Sequence, residues 1–416
     1  MRVLYIDGDG PFGGSSRSLY EVLSGMPEHA VEPHFVAVEG TALDFYKRVA
    51  KDLVTTLGIT KLDNTRYSYY RGRRWLVLLR EVFHLPFTFW GLLRARRRWQ
   101  TMDVIHVNEL AYVLPGVLAK RLFGAPLVIH VRSVQRVDAG SWRCRWFNRR
   151  LERDADAVIA IDENTRSTLP ATLPVDVIQN SFAAKTAAQP DTAFLQKLER
   201  LRPDSMKVGF VGNLHHSKGL FDLLEAAKLV KAAGRKVEFV IIGGTTITDR
   251  GVAAWALTQA GLAQNVEAEL RELVARAGMQ DCFHLLGPTL DIKSAYDRMD
   301  VLCFPSHFDA PGRPVFEAAF SSVPSIVAVT QPRPDTLQPG ETGLAFPGKD
   351  VQKLAEAILY FADNPQEIRR MGANAKRLAE ANFEPRNNAK RLLAVYGRVA
   401  RARTAKARPQ SSGFDR

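Results

Sequence analysis

Along this chain, short apolar runs alternate with polar loops broken by glycine or proline, and then with stretches of helical spacing. The first run, residues 3–6, enters the loop DGDGPFGGSSRS, after which residues 19–23 read as helix. Runs at 33–38, 104–107, 127–131 and 157–161 each come between helical stretches, and that alternation predicts a parallel, doubly wound α/β sheet. A second α/β unit opens at Lys207, where VGFV enters Gly212 and is followed by KVEFVII, FHLLG, VLCF and SIVAV. Between the two, residues 183–205 are polar, Ala-rich and Pro-containing, and fit a linker with a short helix. Helical runs at 351–362 and from Pro365 are followed by one ending near Ala402. The basic tail from Arg403 carries no hydrophobic pattern and is expected to be disordered.

With 416 residues the chain exceeds one ordinary core, so two or three domains are expected. Its composition, 46% hydrophobic and 24% charged, is that of a soluble globular protein. A formal charge of +13 calls for an acidic partner: nucleic acid, anionic lipid or a phosphorylated substrate. Cys144, Cys282 and Cys303 lie far apart without metal-ligand spacing, which points to a reducing compartment and no structural zinc. MRVLYID reads as a first strand, not a leader, and no window of eighteen residues is free of charge, so no spanning helix is predicted.

One stretch is unusual: residues 66–100 carry arginine clusters at both ends and an apolar middle rich in Leu, Phe and Trp. Two readings stay open, a buried domain helix with solvated basic ends and a helix lying in a lipid headgroup layer. Nucleic acid is disfavoured, because no RNP, KH or zinc pattern accompanies the arginines.

Candidate chemistry gathers in DVLCFPSHFDAPGRPVFEAAFSSVP, residues 300–324. A strand ends before Pro305, and Asp309 and Glu317 follow with Gly312 between them, where open α/β sheets bind ligands. Glu317 is read as opening a helix, whose N-terminus suits a phosphate while carboxylates suit sugar hydroxyls. The loop at Gly13 and Gly14, with Arg17 nearby, is either a plain tight turn or a place for close ligand approach. It fails as a dinucleotide fingerprint. Two strand histidines, His106 and His130, are core residues by default.

The Asp309-x7-Glu317 spacing resembles the E-x7-E motif of retaining glycosyltransferases of the GT-B fold, family 4 (glycosyl transferases group 1), with Gly312 and Ala318 also matching and Pro311 in place of Phe. GNLHHSKG is similar to that family's G-R-L-x-x-x-K-G: Gly212, Lys218 and Gly219 align, and Asn213 replaces the arginine. PGETGLAF, EAAFSSVP, VDVIQNSF around Asn180, and the placing of His130 after AKRLFGAPLVI extend the resemblance over nearly the whole chain. Beyond family length, residues 247–264 look like an insertion.

The resemblance implies two Rossmann-like domains with parallel sheets facing across a cleft. They would be an acceptor-side domain over 1–183 and a nucleotide-sugar domain over 206–382, joined by a linker over 184–205. A final helix over 383–402 would cross back, leaving a disordered tail over 403–416. It implies a nucleoside-diphosphate sugar donor, retention of configuration and no essential metal. In residue terms it implies Lys218 on the leaving diphosphate, Glu317 on the ribose, Asp309 on the donor sugar and His130 orienting the reacting centre. Arg132 would hold acceptor or phosphate, and Gly13, Gly14 and Arg17 the donor phosphate or acceptor. Gly287 would contact the base, and Arg17 or Arg313 would supply the cation lost at Asn213. The expectation is a cytoplasmic enzyme that glycosylates a lipid-linked or cell-surface polysaccharide precursor, touching an anionic membrane through residues 66–100. The departures at Asn213 and Asp309 keep open a nucleotide-sugar-binding pseudoenzyme, and a GT-B epimerase or phosphorylase stands further back.

Overall fold

The computed structural model describes residues 1–66, 70, 75–183, 191–244, 266–289 and 291–407. The proposed insertion at 247–264 lies outside them. Two compact units result, Met1–Ala183 with Asn382–Arg416, and Ala184–Ala381.

In the first unit, β1 (Arg2–Asp7), β2 (Glu32–Val38), β3 (Asp52–Thr56), β4 (Val104–Val107), β5 (Leu127–Val131), β6 (Ala157–Ala160) and β7 (Val175–Val177) form one sheet. All pairings are parallel, in the order β3-β2-β1-β4-β5-β6-β7. Strand side chains alternate between faces. Leu4 and Ile6 therefore join Ile105, Leu127 and Ile129 in one core, while Val3 and Tyr5 join Phe35 and Val128 in the other. Helices cover both faces, which is why the central strands read as unbroken apolar runs. These helices are α1 (Gly14–Ser24), α2 (Thr41–Tyr46), α3 (Val77–Trp99), α4 (Val113–Phe123), α5 (Trp142–Asp154) and α6 (Glu163–Arg166). The edge strands β3 and β7 are only partly buried and lack such a run, so the apolar pattern did not single them out.

In the second unit, β8 (Met206–Val211), β9 (Val237–Ile242), β10 (Phe283–Gly287), β11 (Val301–Phe304), β12 (Ser325–Ala328) and β13 (Gly343–Phe346) form a parallel sheet in the order β10-β9-β8-β11-β12-β13. Its helices are α7 (Thr192–Glu199), α8 (Leu220–Ala232), α9 (Val266–Arg276), α10 (Ile292–Tyr296), α11 (Arg313–Phe320), α12 (Val351–Asp363) and α13 (Pro365–Phe383). The last helix, α14 (Pro385–Ala407), packs in the first unit, with Ala389, Leu392, Val395, Tyr396 and Val399 against Leu19 and Val22 of α1.

Two sequence expectations change here. The short helix expected in the linker is α7, but it belongs to the second unit, because Phe194 and Leu198 are buried in that unit's core with Val211 and Val240. Asp191 caps it, accepting from Phe194 N at 3.0 Å and from Thr289 Oγ1 at 2.9 Å. A pair of apolar residues four apart is too little pattern to mark a core helix. The tail reading fails in part, since helix α14 continues to Ala407, and Arg403 Nη1 donates to Met102 O at 3.2 Å. Arg, Ala and Lys are strong helix formers and extend a helix without any apolar stripe.

In each sheet the winding reverses between its first strand and the fourth: between β1 and β4, and between β8 and β11. Crevices beyond the carboxyl ends of such strand pairs are where ligands bind in this architecture.

Candidate functional site

In the second unit, the loops after β8 and β11 are fastened to each other at that reversal. His307 N donates to Ser217 O at 2.9 Å, and the His307 ring meets Asp222 of α8 through Nε2 at 2.7 Å. Gly219 has φ +70°, and a Cβ there would sit 2.0 Å from Pro305 O. Both the left-handed backbone and the close approach demand glycine. The junction sets Lys218 against two rings, its ammonium 5.5 Å from the Phe304 centroid and 4.9 Å from Phe308. Lys218 is half-buried and makes no ion pair among the described residues; burial alone pulls its pKa below the usual lysine range. Gly219 is the N-cap of α8, so free N–H groups and a positive dipole end stand beside this cation. Such an arrangement attracts phosphate. Asn213 lies exposed on the same loop. Gly212 N donates to Ile242 O at 3.0 Å and Gly243 N to Gly287 O at 3.1 Å, which stacks the loops after β8, β9 and β10 in one tier.

The acidic pair is placed differently from expectation. Helix α11 starts at Arg313, with Gly312 as its N-cap and Pro314 in the first turn, so Glu317 does not open it. Glu317 sits a turn further on, buried. It accepts from Arg313 Nε at 2.6 Å and from Tyr296 Oη at 2.9 Å. Arg313 and Glu317 are four apart on one helix and therefore face each other. Arg313 is thus engaged through Nε by a buried carboxylate. Asp309 has φ +50°, and its Oδ1 accepts from Thr330 N at 2.6 Å, tying the β11 loop to the segment after β12.

In the first unit, Gly13 caps α1 from an extended conformation, φ −108°. A Cβ at Gly14 would meet nothing within 4 Å, and one at Gly13 only Pro11 O at 3.9 Å, so neither backbone angle nor packing requires glycine there. Arg17 pairs with Glu21 at 3.1 Å and lies over the Phe182 ring. His130 is buried on β5, its Nδ1 3.2 Å from Arg132 Nη2. A guanidinium only donates, so Nδ1 accepts and the ring proton is on Nε2. Burial, then Arg132 and His106, hold the His130 pKa well below the usual histidine range, leaving it neutral. Arg132 also donates through Nε to Asn108 Oδ1 at 2.7 Å and through Nη1 to Asn180 Oδ1 at 2.8 Å. His106 is a core residue, bonded to Tyr396 Oη at 2.7 Å, with its pKa pushed down to about 3, first by burial and then by Arg132.

Three acids at the β1 and β4 ends escaped the sequence reading. Asp7 is buried and accepts from Asn108 Nδ2 at 2.8 Å and from the Tyr46 hydroxyl; burial and the neighbouring Asp9 raise its pKa. Asp9 accepts from Tyr112 Oη at 2.7 Å and faces Lys61 Nζ at 3.3 Å. Glu109 accepts from Leu110 N at 2.7 Å and Ser133 Oγ at 2.9 Å, yet burial pushes its pKa up to about 7. DGD and NE directly after two strands were visible signals; that these strands are neighbours was not.

Glu109 gives a pH prediction. An acid whose folded pKa is raised contributes stability that is full below its unfolded value and is lost as pH rises through the folded one. Between about pH 5 and pH 8 the wild-type protein is expected to lose on the order of 2–3 kcal/mol relative to Glu109→Gln. The amide keeps an oxygen for Leu110 N and offers Ser133 a donor. Parallel chemical-denaturation curves across that pH range check it; parallel pH profiles for the two proteins would refute it.

Comparison with known proteins places both units. Residues 192–378 match the family Glycosyl transferases group 1, and residues 13–179 match the Glycosyl transferase 4-like domain. The lipopolysaccharide core biosynthesis mannosyltransferase LpsB of Rhizobium meliloti is 26% identical over 329 residues, 78% of this chain and 85% of that one. The MMP alpha-(1->4)-mannosyltransferase of Mycolicibacterium hassiacum is 23% identical over 406 residues, 90% and 89% of the two chains. Among solved structures, Anabaena Alr3699/HepE in complex with UDP superposes with a TM-score of 0.73 at 18% identity, covering 96% of this chain and all of that one (100%).

Proposed function

Because the chain is a glycosyltransferase of the GT-B fold, we propose that it moves a sugar, with retention of configuration, from a nucleoside-diphosphate sugar to a lipid-linked or cell-surface polysaccharide precursor on the cytoplasmic side. The observation that carries the donor half is Lys218: a half-buried ammonium without a carboxylate partner among the described residues, beside a helix N-terminus at the β8/β11 reversal. A desolvated cation in that setting is stabilised by a diphosphate, and most strongly when the leaving group acquires full charge. LpsB, a mannosyltransferase of lipopolysaccharide core biosynthesis, supports the acceptor class.

In the proposed reaction the anomeric C–O bond to the diphosphate breaks as an acceptor hydroxyl bonds to the same carbon from the same face, and the hydroxyl proton passes to the departing phosphate oxygen. Lys218 and the α8 N–H groups neutralise that phosphate, without a bound divalent metal. Neutral His130, with its proton on Nε2, orients the sugar, and Arg132 holds the acceptor. Gly13 and Gly14 leave room for a ligand to approach the backbone at the start of α1. Asp309 contacts the donor sugar and Glu317 the ribose, each while keeping its internal hydrogen bonds. The backbone at Gly287 meets the base.

One observation favours a second reading, a nucleotide-sugar-binding protein without turnover. Asn213 stands in place of a phosphate-clamping arginine, and Arg313 is engaged by Glu317. A thermal-shift panel of UDP-, GDP-, ADP- and TDP-sugars tests the donor site, since a ligand of the folded state raises Tm by mass action. UDP-glucose is the first choice, because HepE has been solved with it. At least one sugar nucleotide is expected to raise Tm, and silence across the panel would overturn both readings. Binding with neither transfer nor donor hydrolysis would select the second.

A further inference from the structure

The outward face of α3 is apolar where a solvated helix should be polar. Leu79 is 70% exposed, Phe83 63% and Trp90 60%, and Trp75, Leu76, Val82, Leu85 and Phe89 are exposed with them. The inward face of the same helix carries Glu81 and Thr88, both buried. They are held there by hydrogen bonds: Lys61 N donates to Glu81 Oε2 at 2.8 Å, and Thr60 N to Thr88 Oγ1 at 2.8 Å. Burying polar groups while leaving this much aromatic surface in water costs free energy that the fold by itself does not recover.

The patch extends beyond the helix. Arg143 of α5 lies 4.8 Å from the ring centroids of Tyr70 and Trp75, and it also reaches Trp142, which is 65% exposed. Beside α3 is an apolar cavity of about 410 Å³ lined by Leu85, Pro86, Phe89, Trp90, Leu114 and Leu118. Exposed arginines rim the patch: Arg80 within it, Arg94 and Arg97 at the end of α3, and Arg145 and Arg149 on α5. Among the described residues no helix is long and apolar enough to cross a membrane, so the patch is a surface and not a span.

We propose that the outer face of α3, with Trp142, docks on the headgroup layer of a bilayer containing anionic phospholipid. Leucine, phenylalanine and tryptophan enter the acyl boundary, arginines meet the phosphates, and the cavity beside Trp90 accepts acyl carbons. A second copy of this chain is a poorer occupant, because a symmetric contact would bring these arginines against their own equivalents in a protein that already carries +13. The docking deepens the lipid-linked acceptor proposed above but stands on the helix face, whatever the acceptor is.

The test is flotation of the full chain with vesicles of phosphatidylcholine alone and of phosphatidylcholine with phosphatidylglycerol, each at low and high salt. The wild-type protein is expected to float with the anionic vesicles and much less with the neutral ones. Phe83→Glu with Trp90→Glu, two exposed positions, is expected to weaken this binding on the order of 100-fold or more. Leu79→Gln with Val82→Gln is a milder second pair should the first fail to fold. Both pairs are expected to keep any sugar-nucleotide thermal shift of the wild type, so a failed donor reading and a failed docking reading are told apart. No flotation by the wild type, or undiminished flotation by both pairs, would overturn the proposal. So would light scattering that shows a wild-type dimer made monomeric by either pair.

Discussion

Replacing Lys218 by alanine is expected to lower kcat/KM for sugar transfer on the order of 10²- to 10³-fold while leaving the melting temperature unchanged or slightly higher. Both halves follow from one geometry. The ammonium is desolvated, packed on Phe304 and Phe308, and has no carboxylate partner among the described residues, so the empty protein gains little from it. A diphosphate gains a great deal, because a charge–charge hydrogen bond in a partly dry site is about twice as strong as a neutral one. Lys218→Arg is not expected to rescue, since a planar five-donor fork does not occupy the space of a compact ammonium between two rings. Steady-state transfer assays with the donor found by thermal shift, alongside melting curves, decide the matter. Transfer within about threefold of wild type would remove the cation from the mechanism.

Glu317→Ala is expected to lose transfer and stability together, by about 3–5 kcal/mol of the latter, because it removes the buried carboxylate that accepts from Arg313 Nε and Tyr296 Oη. Its loss of activity by itself therefore says nothing about ribose contact. Arg313→Met with Glu317→Leu separates the two roles. An apolar pair of similar volume is expected to restore most of the stability, as replacing a buried ion pair often does. If Glu317 also accepts from the ribose hydroxyls, the restored protein still shows little or no thermal shift with the sugar nucleotide that stabilises the wild type. A stable double variant with a full shift would reduce Glu317 to a brace for α11.

The loop that carries Lys218 was legible in the sequence because its determinants are local. An apolar run, a glycine, a lysine and a helix start stand in order within residues 208–220, and backbone angle plus close packing fix Gly219. Glu317 was legible as a residue but not as an ion-pair partner. Its place on α11 depended on where the helix begins, and Gly312 with Pro314 moved that start one turn earlier. Glu109 was not legible. Its raised pKa comes first from desolvation in the loop just past the carboxyl end of β4, which lies beside β1, about a hundred residues earlier, and composition carries no trace of that neighbour.

The amino-acid order by itself determined two wound α/β units, their central strands and the glycine loops at strand ends. Each of these follows from the period of apolar residues and from φ angles that only a few side chains adopt. The tertiary structure alone decided which side of α3 faces in. Its apolar residues suit a core as well as a membrane surface; Leu92, Ala95 and Trp99 pack in the core, and on the same side Thr88 and Glu81 accept from the backbone donors of Thr60 and Lys61, which leaves Phe83 and Trp90 facing solvent. Core packing and the pairing of two backbone donors act on the same side of this helix, so its remaining large apolar side chains are left on the outside.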